Sequence, residues 1–223
     1  DTLTLEELEN SYDAIFIAPG VQLPARLGIE GEENVKKGII SWYELLKDAA
    51  SGQGTKPGDN VVIIGGGNTA IDSARTALRL GSGNVTILYR RSREHMPAFE
   101  EEVIDAEEEG IEMKFLCSPI RLLEEDGTLT GVECVRMKPG EPDKSGRPRP
   151  IPIENSEFIV SCDAIIPTIG QKIDTSLLAG NNSLQLTKWE LIQVDSATLS
   201  TTQRKVFAGG DAVSGPASVI EAI

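Results

Sequence analysis

Two groups of residues in this sequence have types and spacing that can do chemistry. One is Gly65-Gly66-Gly67-Asn68-Thr69-Ala70; the other is the cluster Arg90, Arg91 and Arg93 further along. The first fits G-x-G-x-x-G/A, in which each small residue has a physical task. Gly65 permits a sharp turn out of a strand, and Gly67 lets backbone approach a pyrophosphate without a Cβ in between. Ala70 is small enough for the following helix to lie close on a sheet. The first-turn N–H groups of that helix have no intrahelical acceptors, so they and the helix dipole can hold an anion.

Glycines also mark ordinary tight turns, so the flanking elements must choose between the two readings. Residues 60–64 (NVVII) form a β-branched apolar run suited to a buried parallel strand. After the glycines, Ala70, Ile71, Ala74, Ala77, Leu78 and Leu80 recur at helical spacing, with Asp72, Arg75 and Arg79 between them. A second apolar strand over 85–89 completes strand, turn, helix, strand, the context that a dinucleotide site requires. NAD sites usually carry an acid about twenty residues past the glycines, to bond the ribose 2′-hydroxyl. No acid occurs from Gly81 to Arg93. Guanidinium groups suit a 2′-phosphate, so Arg90 and Arg91 favour NADP(H). The alternative is a solvated basic loop, which would be out of character in so acidic a chain.

The chain has 223 residues, with 21 basic against 35 acidic side chains and a formal net charge of −14. That balance argues against nucleic acid or an anionic membrane as the main partner. No apolar run reaches membrane-helix length and no signal peptide is visible, so a cytoplasmic location is expected. Cys117, Cys134 and Cys162 are widely spaced; they form no metal motif and no C-x-x-C, and read as buried free thiols. No metal ligand set and no catalytic nucleophile or base stands out. The sequence begins at Asp1 without Met and stops inside an apolar helical pattern, so both ends are expected to be cut.

In chain order, residues 2–10 are a polar lead-in with a possible helical turn, and 12–20 (YDAIFIAPG) an apolar strand that needs cover on both faces. Residues 28–37 are a loop. Ser41 and Glu44 suggest a capped helix over 42–50, and 51–59 is a turn-rich boundary. After the arginines, Met96-Pro97-Ala98 leads into an acidic helix stopped by Gly110, and 111–116 is a third strand. Thus 60–116 reads βαβαβ. The period then changes to an antiparallel meander over 120–123, 131–137 and 157–160, with 138–150 a loop. Residues 162–170 (CDAIIPTIG), ending at Gly170, repeat the design of 12–20, as paired entry and exit strands would. An irregular stretch over 181–201 precedes a short strand ending in Gly209-Gly210-Asp211, and Ser214-Gly215-Pro216-Ala217 opens a final helix.

In this order these pieces resemble the two-dinucleotide-binding-domain flavoproteins of the pyridine nucleotide–disulfide oxidoreductase superfamily, and within it the small subunit of NADPH-dependent glutamate synthase and its relatives. The resemblance rests on YDAIFIAPG, VVIIGGGNTAIDSARTALRLG, VTILYRRSREHMPA, CDAIIPTIGQ and VFAGGDAVSGPASVIEAI, and spans nearly the whole chain. It implies an α/β fold: a Rossmann-like three-layer NAD(P)-binding domain, with a parallel sheet and an antiparallel meander, inserted into an FAD-binding domain. The implied boundaries are 1–50 and 171–223 for the FAD-domain segments and 51–170 for the NADPH domain.

By the same resemblance NADPH and, in the complete protein, FAD are the cofactors. Residues 65–70 with Arg90 and Arg91 would serve the nucleotide; Gly210, Asp211 and Gly215 would serve the flavin, Asp211 on its ribityl chain; and Gly170 would be a further cofactor-binding residue. The implied activity is hydride transfer from NADPH to FAD, then electron transfer to a large glutamate synthase subunit or another acceptor protein. Such chemistry belongs to the cofactors and needs no catalytic side chain. His95 reads as a solvated or phosphate-side residue, and Glu101 and Glu102 as a solvated helix face. Two alternatives keep the motifs: the reductase part of a ferredoxin- or pyrimidine dehydrogenase-type complex, and a non-catalytic NADP(H)-sensing module. Because the family's first glycine fingerprint is absent, the chain as given is expected not to retain FAD; a flavin absorbance spectrum copurifying with it would overturn that.

Overall fold

A strand as apolar as 60–64 must be covered on both faces, and in the computed structural model it lies inside a four-stranded sheet. The structure describes residues 4–143, 146–174, 184–216 and 219–222. They fall into two compact units, one of residues 24–169 and one of 1–23 with 170–223.

In the larger unit the strands Ala164–Pro167, Asn60–Ile64, Asn84–Tyr89 and Glu112–Phe115 lie side by side in that order, all parallel. Alternate residues face opposite layers. Val61, Ile63, Val85 and Ile87 pack on the helices Asn68–Arg79 and Glu100–Glu108, whose buried Ala70, Ala74, Ala77 and Ala106 allow close approach. Val62, Ile64, Leu88 and Ile165 pack instead on an antiparallel layer that contributes Cys117, Leu122, Leu129, Val132 and Cys134. The result is helix, parallel sheet, antiparallel sheet: the three layers and the βαβαβ order expected from sequence.

The two helices are held to each other by charge as well as packing. Arg75 pairs with Glu102, with Asp105 at 3.3 Å and with Glu109 at 2.7 Å, and Arg79 reaches Glu109 at 2.7 Å. Asp163 has a local task at the opposite edge of the sheet. Its carboxylate accepts hydrogen bonds from the backbone N–H groups of Asp59 (3.0 Å) and Asn60 (2.9 Å), fixing where the first strand starts.

The antiparallel layer is longer than the sequence suggests. Its strands are Cys117–Glu125, Thr128–Pro142, Pro148–Pro152 and Phe158–Ser161, and all three others pair with the long second strand. Much of 138–150, expected to be loop, is a proline-rich ribbon. Its prolines sit on an edge strand and beside a register shift between Pro139 and Pro142, where a missing N–H is tolerated.

The boundary expected at residue 50 lies instead between Leu23 and Pro24. Residues 24–50 join the larger unit because their backbone is stitched to it: Leu122 N donates to Glu30 O (2.8 Å), Leu129 N to Lys37 O (3.0 Å) and Ile40 N to Ile165 O (2.9 Å). Gly31 must be glycine there, since its φ is +82° and a Cβ would lie 2.5 Å from Leu122 O.

The smaller unit corrects a second expectation. The Asp-Ala strands of 12–20 and 162–170 are not partners. Ile15–Ile17 pairs in parallel with Val206–Ala208, whereas Ala164–Pro167 belongs to the larger unit. With only two strands in that sheet among the described residues, Phe16 is 59% exposed rather than covered on both faces. The lead-in forms a helix, Leu5–Ser11, closed by a Thr4–Glu7 capping box. Val21, Ile173, Ile192, Ala208 and Ala212 make this unit's core. Residues 181–183 of the expected irregular stretch, and Ala217 at the expected start of the last helix, lie outside the described residues. Among the described residues no helix is long and apolar enough to cross a membrane.

All three cysteines are buried and unpaired by disulfide. Burial pushes the Cys117 thiol up to about 11 and those of Cys134 and Cys162 up to about 12, from an ordinary value of 9.0. The unfolded chain therefore loses these protons first as pH rises. Stability is full below about pH 9 and falls above it, by up to about 1.4 kcal/mol per pH unit for each thiol until the folded value is reached. Urea unfolding between pH 8 and 10.5, with wild type set against Cys134→Ala, measures this; an equal alkaline slope in both removes Cys134 from the account.

Candidate functional site

The glycine turn leaves the Asn60–Ile64 strand at its C-terminal end and opens the Asn68–Arg79 helix. That is where open α/β sheets bind ligands. Its shape is set by neighbours that leave no room for side chains. Gly65 has φ +151°, and a Cβ there would run into the Thr168 hydroxyl; a Cβ on Gly66 would lie 2.5 Å from the Tyr89 ring. Gly67 differs, because a Cβ there would meet nothing within 4 Å. Its side of the turn is open, and Gly67 as N-cap gives the helix no side-chain cap. The first-turn N–H groups of Asn68 and Thr69 lack intrahelical acceptors, beside a turn whose Gly67 side is open. Ala70 is fully buried against the sheet.

A second segment clamps the turn from outside. Ala98 N donates to Gly66 O (3.1 Å), and Phe99 N donates to the Asn68 side-chain oxygen (2.9 Å). Tyr89 closes the loop by donating its hydroxyl to His95 O at 2.7 Å. The side chain of Asn68, expected among the cofactor-binding residues, is thus engaged in holding the Met-Pro-Ala segment in place.

The three arginines of the second strand's tip have separate fates. Arg93 pairs with Glu100 (3.0 Å) and Glu107 (2.5 Å) of the acidic helix. Arg91 is only 6% exposed; its Nε donates to Pro148 O (2.9 Å) and its Nη2 to Asp143 (2.7 Å). Its charge is answered inside the protein, so the expected Arg90–Arg91 pair is not a pair of free forks. Arg90 is exposed and has no ion-pair partner among the described residues. A shallow cleft beside it is lined by Arg90, Ser92, His95, Lys138 and Pro139, among others. Ser92 Oγ and His95 Nδ1 lie 2.7 Å apart. Lys138, from the antiparallel ribbon, was not singled out from sequence, since it falls in a stretch expected to be loop. Glu101 is exposed, as expected of a solvated face, whereas Glu102 is the partner of Arg75.

Within the smaller unit, the Gly209-Gly210-Asp211 turn ends the Val206–Ala208 strand and starts a single turn of helix, Asp211–Ser214. Gly210 and Gly215 have φ of +65° and +85°, a region that favours glycine. Asp211 Oδ1 is buried and has no hydrogen-bond partner among the described residues. A buried carboxylate oxygen without a donor is costly, and a hydroxyl-bearing ligand would satisfy it. Gly170, with φ +135°, opens the second segment of this unit. The last helix is described only as Val219–Ala222.

A parallel sheet with helices on one face, and a glycine turn at its C-terminal edge leading into an uncapped helix, defines the dinucleotide-binding class of α/β proteins. The family model for pyridine nucleotide-disulphide oxidoreductases matches residues 2–223. The beta subunit of an NADP(+)-dependent formate dehydrogenase from Moorella thermoacetica is 45% identical over 99% of this chain and 31% of that protein. The small chain of glutamate synthase [NADPH] from Escherichia coli (strain K12) is 35% identical over 98% of this chain and 49% of that protein. FprA from Mycobacterium tuberculosis, solved in complex with NADPH, shares the fold: its TM-score is 0.77 at 17% identity, over 98% of this chain and 62% of that one. The chain spans about a third to a half of the curated relatives it matches here. It belongs to the pyridine nucleotide-disulphide oxidoreductase family, whose members bind FAD and NADPH.

Breaking a buried ion pair leaves an uncompensated charge, so Arg91→Ala is expected to cost about 3 kcal/mol of stability. Arg90→Ala, at an exposed unpaired position, should stay within about 0.5 kcal/mol of wild type. Urea titration of both variants decides it, and equal effects would contradict the division of labour seen here.

Proposed function

We propose that this chain is the NADPH-binding part of an FAD-dependent oxidoreductase subunit that takes reducing equivalents from NADPH and delivers them, through flavin, to a partner protein. The observation that carries the reading is the open side of Gly67 above an uncapped helix, with Arg90 unpaired at the tip of the next strand. The turn fits a pyrophosphate, and the cationic tip fits a 2′-phosphate where an NAD site would carry an acid.

The flavin half of the reading rests on Asp211. Its buried oxygen, without a partner among the described residues and held by a turn that positive-φ glycines make, would accept a hydrogen bond from a ribityl hydroxyl. When bound, FAD would supply hydride acceptance and one-electron release. The chain's own residues would bind and orient: residues 65–70 hold phosphate, Asn68 keeps the Met-Pro-Ala segment against the turn, and Asp211 accepts a hydrogen bond. No side chain acts as nucleophile or base.

The relatives' names support a multi-subunit setting and leave the acceptor plural: one relative is a formate dehydrogenase subunit, the other a glutamate synthase subunit. An electron-accepting partner subunit is the reading common to both, and a glutamate synthase large subunit is one case of it. The reductase reading is preferred to a purely NADP(H)-sensing module because a sensor has no use for the Asp211 site.

Calorimetric titration tests the nucleotide assignment. NADPH should bind at least tenfold more tightly than NADH, and Arg90→Glu should remove most of that preference by placing a carboxylate where the phosphate sits. Equal affinities in the wild type would overturn the NADPH reading.

A further inference from the structure

The cationic tip of the second strand supplies less charge than its sequence promises. Arg93 is bound to Glu100 and Glu107, and Arg91 is buried against Asp143 and Pro148 O. Arg90 remains, and one exposed ion pair is worth under about 1 kcal/mol, too little to discriminate strongly for a phosphate dianion. A second free cation lines the same cleft from another layer of the fold. Lys138 stands in the antiparallel ribbon opposite Ile151, is exposed, and has no carboxylate partner among the described residues.

We propose that Lys138 is the second cation of the 2′-phosphate site, so that the antiparallel ribbon, and not the strand tip alone, determines preference for NADPH over NADH. The inference rests on the nicotinamide-nucleotide reading above. Arg91 then has a positioning role. Its two hydrogen bonds, with that from Leu116 N to Arg91 O (3.1 Å) and from Met137 N to Leu116 O (2.7 Å), fasten the ribbon to the strand tip and so keep Lys138 in the wall of the cleft that Arg90 also lines.

Ser92 and His95 line the same cleft, with Ser92 Oγ and His95 Nδ1 2.7 Å apart, and both are polar groups that can meet phosphate oxygens. One acid stands at the rim: Glu94 Oε1 accepts from Ser92 Oγ (3.1 Å) and lies 3.8 Å from His95 Nδ1. Its side chain is 77% exposed and free to swing into solvent when a phosphate takes its place.

Dissociation constants for NADPH and NADH, with adenosine 2′,5′-bisphosphate and AMP as compact probes, test this in wild type, Lys138→Gln, Lys138→Arg and Arg90→Gln. Lys138→Gln is expected to weaken NADPH and the bisphosphate roughly tenfold while NADH and AMP are unchanged. Lys138→Arg should retain the preference, and the wild-type preference should shrink as salt rises. Full preference retained in Lys138→Gln but lost in Arg90→Gln overturns the proposal and leaves the NADPH reading standing. Equal weakening of both dinucleotides in Lys138→Gln also overturns it, since the lysine would then act through the shape of the ribbon. A wild type that binds neither dinucleotide overturns the NADPH reading itself.

Discussion

Two glycines of the turn, Gly65 and Gly66, have no room for a side chain, and much of the larger unit is arranged around that constraint. Gly65 is pressed against Thr168, which follows the edge strand Ala164–Pro167, and Gly66 against the ring of Tyr89, at the end of the next strand on the other side. Three adjacent parallel strands thus end in one tight knot of contacts, with Thr168 Oγ1 donating back to Ile64 O at 2.8 Å. Only Gly67 is left facing open space. A turn held on two sides and open on the third is pre-organised, so a ligand bound there would have little left to immobilise.

The same logic governs charge. This chain carries 14 more acids than bases, and most of the arginines near the site are answered by them: Arg75 and Arg79 by the acidic helix, Arg93 by its first and last turns, Arg91 by Asp143. Those pairs fasten layers together. Arg90 and Lys138, which line one cleft, are left without a carboxylate partner among the described residues. Counting arginines along the sequence overstated the free charge at the strand tip, because pairing is decided by elements far apart in sequence, such as 91 with 143.

What was legible in the sequence follows from how local each signal is. The βαβαβ order, the Trp42–Ala50 helix with its Ser41 cap, and the glycine turn depend on periodicity and turn chemistry within short windows, and all are in the structure. The Pro148–Pro152 strand was not legible, since five prolines between 139 and 152 argue against a ladder unless one knows that they lie on a ribbon edge. The similarity of YDAIFIAPG and CDAIIPTIG was real at the level of local design but misleading as to pairing. Two strands with the same pattern can each satisfy it in a different sheet. Asn68 was legible as part of a motif; that its side chain bonds Phe99 N, distant in sequence, was not.

The antiparallel layer takes a different meaning once its contacts are followed. Covering the second face of the parallel sheet requires only apolar residues, and Leu122, Leu129, Val132 and Cys134 provide them. The ribbon beyond Met137 contributes little to that cover: Lys138 and Pro139 are exposed, and its paired strand Pro148–Pro152 buries no residue fully. A hairpin that adds so little to the core is held by the buried Arg91, a residue costly to bury without its partners. Such an arrangement is poor economy for stability alone. It is intelligible if the ribbon is there to wall a site beside the strand tip, in the cleft that Arg90 and Lys138 both line.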